Sequence, residues 1–322
     1  MKGKIFISLI TIFMMAVVVN AYAADFPTKP ITLLVPTGAG GPTDVGARIL
    51  AAVAEKKIGQ PIVVINKVGA GQQIGNTELA RAKPDGYFIG CLGIPQLNTM
   101  ILDPDRKAVF NIDSFTPIIN QVTDPGLIWV KADSPYKTLK DVIDDAKKRP
   151  GVVRASTTAI LGDDHLAILM VEEAAGINFR IVHFNSSPEQ ITATLGGNVD
   201  VSFDNVGADA TLEKAGKIRG LAVMDPSRSS FMPHVPTTVE LGYPSVISNS
   251  SRGIMGPKGI PEPIVKRLQE VFLEAMKDPE YIEKMNKASL IMRPLVGEEY
   301  AKFVRDTHAR CIPLVEAYRK SK

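Results

Sequence analysis

Residues 31–75 constrain the fold more than any other part of the chain. Residues 31–35 form a short apolar run, residues 36–42 a glycine-rich turn, and residues 62–65 a second apolar run. Between the turn and the second run, apolar residues recur at helical spacing, at Val45, Ile49, Ala52 and Val53. This pattern predicts a strand, a turn, a helix and a second strand, a crossover unit that implies a parallel sheet in an α/β fold.

The turn after the first predicted strand is a candidate binding loop. Ligands of open α/β sheets lie outside the carboxyl ends of the strands, where the first loop meets the first helix. Small side chains let backbone N–H groups approach a ligand, and free amides at a helix start favour an anion. We therefore expect a carboxylate seat formed by Thr37, Ala39, Gly40, Gly41 and Asp44. The alternative is a tight turn in which the glycines permit positive φ and Thr43 or Asp44 caps the helix.

Residues 1–23 have the features of a cleaved secretory signal peptide. Two lysines precede an apolar stretch at residues 5–19, and the following Ala-Tyr-Ala fits the small-residue cleavage rule. We expect cleavage after Ala23 or Ala24 and export of the mature protein. The apolar stretch is short for a membrane span, and the sequence offers no second candidate.

Composition argues against several classes of function. The net charge of +3 includes the two leader lysines and only 6% of the residues are aromatic, so we expect no nucleic-acid partner. Two cysteines and four histidines without ligand spacing predict no metal ion. Ser156, Asp163 and His165 lie close in sequence without a G-x-S-x-G or H-E-x-x-H motif, which leaves a secreted hydrolase as the weaker alternative. Cys91 and Cys311 either pair in an oxidising compartment or remain buried thiols.

The middle of the chain repeats the order of elements seen at its start. A predicted strand at 152–155 is followed by a loop at 156–163, a helix at 164–175 with Gly176 as its C-cap, and a strand at 179–184. Further strands are predicted at 87–93, 115–119, 127–130, 200–203 and 220–223, and further helices at 75–82, 139–148, 211–215, 263–276, 279–289 and 298–317. Two α/β lobes with a cleft between them are the most economical architecture.

Short motifs follow one another through the mature chain in a defined order. They lie at 29–36 (KPITLLVP), at Gly40, Gly41 and Asp44, at Asn66, 69–71 and 74–75, at 84–87 (PDGY), and at 165–166, 195–200, 214–219 and 233–236. This series resembles the substrate-binding proteins of tripartite tricarboxylate transporters, the Bug or TctC-type family. The match covers essentially the whole mature chain.

The resemblance implies a type II periplasmic-binding-protein fold, with two α/β domains and a ligand cleft between them. One domain would comprise 25–123 plus 241–322, and the other 124–240. It also implies a monomeric periplasmic protein, not an enzyme and without a cofactor, that captures a small organic carboxylate between its lobes. The protein would deliver this solute to the subunits of a tripartite tricarboxylate-type membrane transporter. An alternative partner is a membrane receptor kinase, on which the loaded protein would dock as a sensor.

Departures from the family motifs indicate where specificity would lie. Thr37 replaces the usual aromatic residue, Gln72-Gln73 replaces Gly-Asn, and the loop at 155–166 has lost glycines and gained two aspartates at its helix start. The remaining candidate ligand-binding residues are Gln72, Gln73, Thr157, Thr158, Gly162, Asp163, Asn185, Ser186, Asp204 and Arg252.

Several of these residues have a structural alternative. Asp163 and Asp164 either cap a helix or lie in the cleft, where they would repel a second carboxylate and favour an ammonium or hydroxyl group. Arg252 is either a carboxylate clamp or part of a surface ion pair. Asp204 either faces the cleft or forms an Asx-turn. We expect His165 to be packed or capping rather than catalytic.

Overall fold

The structure, a computed structural model, describes residues 26–184 and 186–320. The predicted leader at 1–23 and the candidate residue Asn185 therefore lie outside the described residues. None of the helices in these ranges combines the length and apolar character needed to cross a membrane.

The opening unit forms as the sequence predicts. Strand β1 (Ile31–Val35) pairs in parallel with β2 (Ile62–Asn66), and helix α1 (Pro42–Ile58) connects them. Strand β3 (Phe88–Ile94) pairs in parallel with the other side of β1. Gly59 ends α1 in the left-handed conformation, with φ of 77°.

One long strand, β4 (Phe115–Lys131), runs from this first sheet into a second one. Strand β4 has 17 residues and pairs antiparallel with β9 (Asn249–Pro257), from Phe115 opposite Pro257 to Pro125 opposite Asn249. The prediction of two separate strands at 115–119 and 127–130 is therefore wrong. The Asp-Pro-Gly sequence at 124–126 is typical of a turn. In the structure, pairing with β9 and then with two strands of the second sheet keeps this segment of β4 extended.

The two sheets share β4. The first has the order β2-β1-β3-β9-β4-β10, with β10 (Met292–Val296) antiparallel to β4. The second has β4 between β8 (Ile218–Met224) and β7 (Val201–Asn205), and continues through β5 (Arg154–Thr157) to β6 (Arg180–His183). In the second sheet β5 is parallel to β6, as the repeated unit predicts, and also to β7.

Helices pack on both sheets. They are α2 (Gln73–Ala80), α3 (Gln96–Leu102), α4 (Leu139–Lys148), α5 (Asp163–Ala175), α6 (Ser187–Leu195), α7 (Val206–Lys214), α8 (Glu262–Met276), α9 (Pro279–Lys287) and α10 (Glu298–Lys320). Helices α3 and α6 were not predicted, because both are short and begin at or beside a proline that reads as a turn.

Each sheet has its own apolar core. Leu33, Leu50 and Phe272 are buried in the first, and Ile143, Ile168 and Phe203 in the second. A separate cluster joins the helix following β5 to the C-terminal helix, through Leu161, Leu166, Cys311, Leu314 and Val315. The boundaries of the two domains stay a prediction.

Cys91 and Cys311 are both buried free thiols, so the structure does not contain the disulfide that the sequence left open.

Candidate functional site

A cavity of about 620 Å³ lies where the two sheets meet, beside β4 and the start of β9. Its wall contains Asp124 from β4, Asp163 and Asp164 from the start of α5, Asp204 from the end of β7, and Arg252 from β9. We call it the acidic cavity. The remaining wall is formed by the β1–α1 loop and the start of α1, by the residue after β5, by the end of β7, by α6 and α7, by β9 and by the segment after α9. Its residues are Thr37, Gly40, Pro42, Val45, Thr158, Ser187, Pro188, Ile191, Asn205, Gly207, Ala208, Ser250, Ala288 and Leu290.

A smaller cavity of about 230 Å³ adjoins it. Arg252, Asp163, Thr158 and Ser250 line both cavities, so the two share one wall. The other residues around the smaller cavity are uncharged and lie mostly at helix starts and turns: Thr43, Gly71, Gln72, Gly93, Ile94, Pro95, Gln96 and Ala159. Together the cavities form one polar cleft with an acidic end and an uncharged end.

The glycine-rich loop takes its shape from Asp44. Gly40 has φ of 80°, a left-handed conformation that favours glycine, and its N–H donates to Asp44 Oδ2 at 2.8 Å. Arg48 Nε and Asn66 Nδ2 donate to the same carboxylate at 2.9 Å each. Burial acts to raise the pKa of Asp44, and the hydrogen bonds from these three groups outweigh it and lower that pKa. Asp44 therefore fixes the conformation of the glycine-rich loop through these hydrogen bonds.

The cap of α1 differs from the alternative considered for this loop. Gly41 is the N-cap residue, with extended φ and ψ of −74° and 165°, and not Thr43 or Asp44. Pro42 takes the first helical position, where its missing N–H costs nothing. No side chain among the described residues caps this helix start, which leaves its first backbone amides for a ligand near the cleft.

The aspartates of the acidic cavity are oriented mainly by neutral donors. Thr158 Oγ1 donates to Asp164 Oδ2 at 3.0 Å, and Asn205 Nδ2 donates to Asp163 Oδ2 at 3.1 Å. Ser187 donates to Asp204, and the Gly207 N–H donates to Asp124. Gly162 is the N-cap of α5, so Asp163 and Asp164 lie in its first turn and face the cavity.

Burial perturbs the acidity of this cluster. It raises the pKa of Asp124 to about 6, against the opposing effect of Arg252, and the pKa of Asp204 to about 7. Burial also raises the pKa of Asp163, and burial together with the neighbouring carboxylates raises that of Asp164 well above its ordinary value. Asp209 lies behind the wall and is fully buried, and burial together with the neighbouring Asp204 raises its pKa well above the ordinary value.

Arg252 is the cationic side chain of the cleft. It is only 7% exposed, so the alternative of a surface ion pair is wrong. Its Nη2 donates to Ser250 Oγ at 3.2 Å, and its Nη1 lies 3.9 Å from Asp124 Oδ2. Among the residues that the structure describes, Nη1 has no hydrogen-bond partner.

The structure places the predicted binding residues unevenly. Thr37, Gly40, Thr158, Asp163, Asp204 and Arg252 line the acidic cavity, and Gln72 lines the smaller one. Seven others do not belong to either wall: Ala39 is exposed, Gly41 and Gly162 are N-cap residues, Asp44 holds its own loop, Gln73 Nε2 donates to the Arg106 carbonyl, Thr157 is fully buried, and Ser186 caps α6.

Sequence reasoning missed Asp124 and Ser187. Asp124 was hidden because residues 120–126 were read as a break between strands, whereas it occupies the crossing strand. Ser187 begins the unpredicted helix α6. The general rule that strand ends face the cleft did identify Asp204. Asp204 accepts a 2.8 Å bond from the N–H of the next residue, Asn205, whereas an Asx-turn would use the N–H two residues on.

The residues considered for a hydrolase do not assemble into a catalytic group. Ser156 Oγ bonds to Ser202 Oγ at 3.1 Å, within the second sheet. The fully buried His165 accepts a 2.9 Å bond from the Leu161 N–H at Nδ1, and its ring packs edge-on against His183 and Tyr318. His165 is thus a packed side chain, as expected. Within residues 26–184 and 186–320, no three His, Cys, Asp or Glu side chains are placed to hold a metal ion.

Curated relatives and solved structures resemble this chain along most of its length. A UPF0065 protein of Cupriavidus necator is 32% identical, covering 89% of this chain and 87% of its own, and BugT of Bordetella pertussis is 31% identical, covering 81% and 80%. A TctC solute-binding protein from Polaromonas matches with a TM-score of 0.79 at 28% identity, covering 91% of this chain and 99% of its own.

Two of the similar structures contain a carboxylate. MatC from Rhodopseudomonas palustris, solved with bound malate, matches with a TM-score of 0.78 at 25% identity, covering 90% of this chain and 100% of its own. An R. palustris protein solved with adipate matches with a TM-score of 0.80 at 26% identity, covering 91% and 98%. The predicted periplasmic-binding-protein fold is confirmed by these likenesses.

The family assignment rests on sequence as well as on fold. Residues 46–319 match the model of the family described as "Tripartite tricarboxylate transporter family receptor". This range includes most of the residues that line the cleft, among them Asp124, Asp163 and Arg252. The chain belongs to the tripartite tricarboxylate transporter receptor family.

Proposed function

We propose that this chain is an exported solute-binding protein that captures a small organic carboxylate between its two lobes and delivers it to a tripartite tricarboxylate-type membrane transporter. The observation that carries the proposal is the buried Arg252, whose Nη1 has no hydrogen-bond partner in the described residues, at the wall shared by two cavities. A buried guanidinium binds a carboxylate strongly, often through two parallel hydrogen bonds. The malate and adipate complexes of similar proteins support the same ligand class.

Capture would work by closure of the two lobes. The ligand would contact the β1–α1 loop on one side and the start of α5 on the other, and both contacts exist together only in the closed state. Binding therefore shifts the population towards that state, which a membrane partner then recognises. Strand β4 is the natural hinge, because it pairs within both sheets.

Further parts of the proposal concern the chain as a whole. The domains would comprise 25–123 with 241–322 and 124–240, and residues 1–23 would direct export to the periplasm and be removed. The protein would act as a monomer that binds without catalysis. The separate apolar cores of the two sheets and the solute-receptor family support this view.

A thermal-shift screen tests the proposal. The mature protein is unfolded and refolded to remove any carried solute, then heated with individual carboxylates, including malate and adipate. A ligand at about 100 times its dissociation constant adds about 2.7 kcal/mol to the free energy of unfolding, which gives a clear rise in the melting temperature. Refolded protein that no small carboxylate stabilises would overturn the proposal. Hydrolysis of an ester or amide, lost on His165→Ala, would instead support the enzyme alternative.

A further inference from the structure

We infer that the solute carries a protonated amine as well as a carboxylate, with the carboxylate at Arg252 beside the smaller cavity and the amine among the aspartates of the acidic cavity. This inference rests on the proposed function and names its substrate class. It predicts that an amino-carboxylate binds in preference to a dicarboxylate of the same length.

The first argument is the distribution of charge along the cleft. Four carboxyl groups, those of Asp124, Asp163, Asp164 and Asp204, line the acidic cavity. Among the described residues that line either cavity, Arg252 is the sole cationic side chain. One arginine can hold one carboxylate. A second carboxylate placed in the acidic cavity would lie against four further carboxyl groups, and like charges placed side by side disfavour binding.

The second argument is that one acidic and one basic side chain of the cleft, Asp164 and Arg252, each have a buried polar atom without a hydrogen-bond partner among the described residues. Asp164 is 3% exposed, and its Oδ1 lacks a hydrogen-bond partner within the described parts of the chain. Arg252 Nη1 is in the same situation, since its distance of 3.9 Å from Asp124 Oδ2 is beyond a hydrogen bond. Buried polar atoms are normally satisfied. Asp164 Oδ1 therefore lacks a donor and Arg252 Nη1 lacks an acceptor, and an ammonium and a carboxylate would supply both.

The third argument is that, apart from Arg252 beside Asp124, no cationic side chain of the described cavity wall pairs with these aspartates. Thr158, Ser187 and Asn205 each donate from an uncharged group. Such donors fix the positions of the carboxyl groups without an ion pair, so a ligand cation is free to pair with them and favour their ionised form. Asp44 shows the contrast, because Arg48 pairs with it at 2.9 Å and it lies outside both cavity walls.

The fourth argument concerns the opposite end of the cleft. Thr43 in the first turn of α1 and Gln72 at the N-cap of α2 line the smaller cavity, next to Arg252. Helix starts present backbone N–H groups and positive potential. This end suits the anionic part of the ligand, with the cationic part extending past Asp163 into the acidic cavity.

Matched pairs of solutes test the inference. Calorimetry on the refolded mature protein compares glutarate with 4-aminobutanoate and adipate with 5-aminopentanoate, because each pair differs only in the exchange of one carboxylate for an ammonium. Two α-amino acids, aspartate and glutamate, are measured beside succinate and glutarate. We expect the better amino-carboxylate to bind at least about tenfold more tightly than its partner.

Variants connect this preference to the aspartates. Asp164→Asn and Asp204→Asn should each reduce the preference for the amine by about tenfold while affecting dicarboxylate binding much less. Asp133→Asn makes the same chemical change at a side chain that is 72% exposed, and should leave the preference unchanged. Circular dichroism checks that each variant folds. Because two cavity variants are made, the test still works if one of them does not fold.

The number of protons exchanged provides a second readout, from titrations repeated in buffers of different ionisation enthalpy. An ammonium entering the cluster of Asp124, Asp163, Asp164, Asp204 and Asp209 should release protons at pH 7, whereas a carboxylate entering it should take them up. Tighter binding of the dicarboxylates, or proton uptake on binding, overturns this inference and leaves the proposed function intact. Binding of neither class overturns both, and binding of Ca²⁺ or Mg²⁺ alone overturns the inference in favour of a metal site.

Discussion

The carboxylate of Asp124, on the crossing strand β4, accepts a 2.9 Å hydrogen bond from the backbone N–H of Gly207 in the first turn of α7. The approach is so close that a Cβ on Gly207 would lie 2.6 Å from Asp124 Oδ2 and 2.7 Å from the Ser289 carbonyl oxygen. This contact joins a cavity carboxylate, a helix start and the segment after α9. The absence of a side chain at Gly207 is thus a requirement of the site.

Gly207→Ala should therefore weaken both the fold and ligand binding. The added methyl group must displace the Asp124 carboxylate or the backbone at Ser289, and overpacking of this kind costs about 1–3 kcal/mol. Urea denaturation and calorimetry measure the two effects. Gly38→Ala is the matched control, because a Cβ there meets nothing within 4 Å. Equal stability of the two variants would show that the contact at Gly207 relaxes without cost.

The stability of the ligand-free protein should depend on pH through the acidic cavity. The folded-state pKa of Asp204 is raised to about 7 and that of Asp124 to about 6, so the folded state holds protons that the unfolded chain loses near pH 4. Their contribution to stability is full below pH 4 and is lost as the pH rises through 6 to 7.

Asp204→Asn isolates this effect, because the amide does not ionise. Relative to the unchanged protein, the variant should gain about 1–3 kcal/mol between pH 5 and pH 8. Thermal unfolding at the two pH values measures the difference, with Asp133→Asn as the exposed control. A difference between variant and unchanged protein that is the same at both pH values would contradict the raised pKa of Asp204.

Asp44→Asn should destabilise the glycine-rich loop. The buried carboxylate accepts bonds from Gly40, Arg48 and Asn66, and an asparagine cannot replace all of these acceptor positions. Removal of charge-assisted bonds of this kind costs about 1–3 kcal/mol. We expect a lower urea midpoint together with weaker ligand binding, since the loop lines the cleft. An unchanged midpoint would mean that the loop keeps its shape without this carboxylate.

Local sequence patterns predicted the fold well where the pattern and the packing agree. Strand β1, helix α4 and the Gly176 C-cap of α5 lie where the sequence placed them. Strand β4 does not, because its Pro125-Gly126 segment is held extended by partners distant in sequence. Such long-range pairing leaves no local signal.

The candidate site was only partly predictable for the same reason. Residues at strand ends and helix starts, such as Asp204 and Asp163, follow from the general position of clefts in α/β folds. Asp124 enters the wall from a crossing strand, and Arg252 is buried by residues far from it in sequence. Asp44 lies in the glycine-rich loop where a ligand-binding residue is expected, but its carboxylate accepts hydrogen bonds from Gly40 and Arg48 instead. Only the hydrogen-bond geometry reveals this.

The most direct test of the account is a calorimetric titration of Arg252→Ala with the tightest-binding carboxylate of the screen. Truncation of a buried, hydrogen-bonded charge partner costs about 2–5 kcal/mol of binding free energy. Arg228→Ala, which removes an exposed arginine paired with Glu240, is the matched control. The account predicts that Arg252→Ala remains folded and loses at least about thirtyfold in affinity, while the control binds as the unchanged protein does. Equal affinity of the two variants would contradict the assignment of Arg252 as the carboxylate seat.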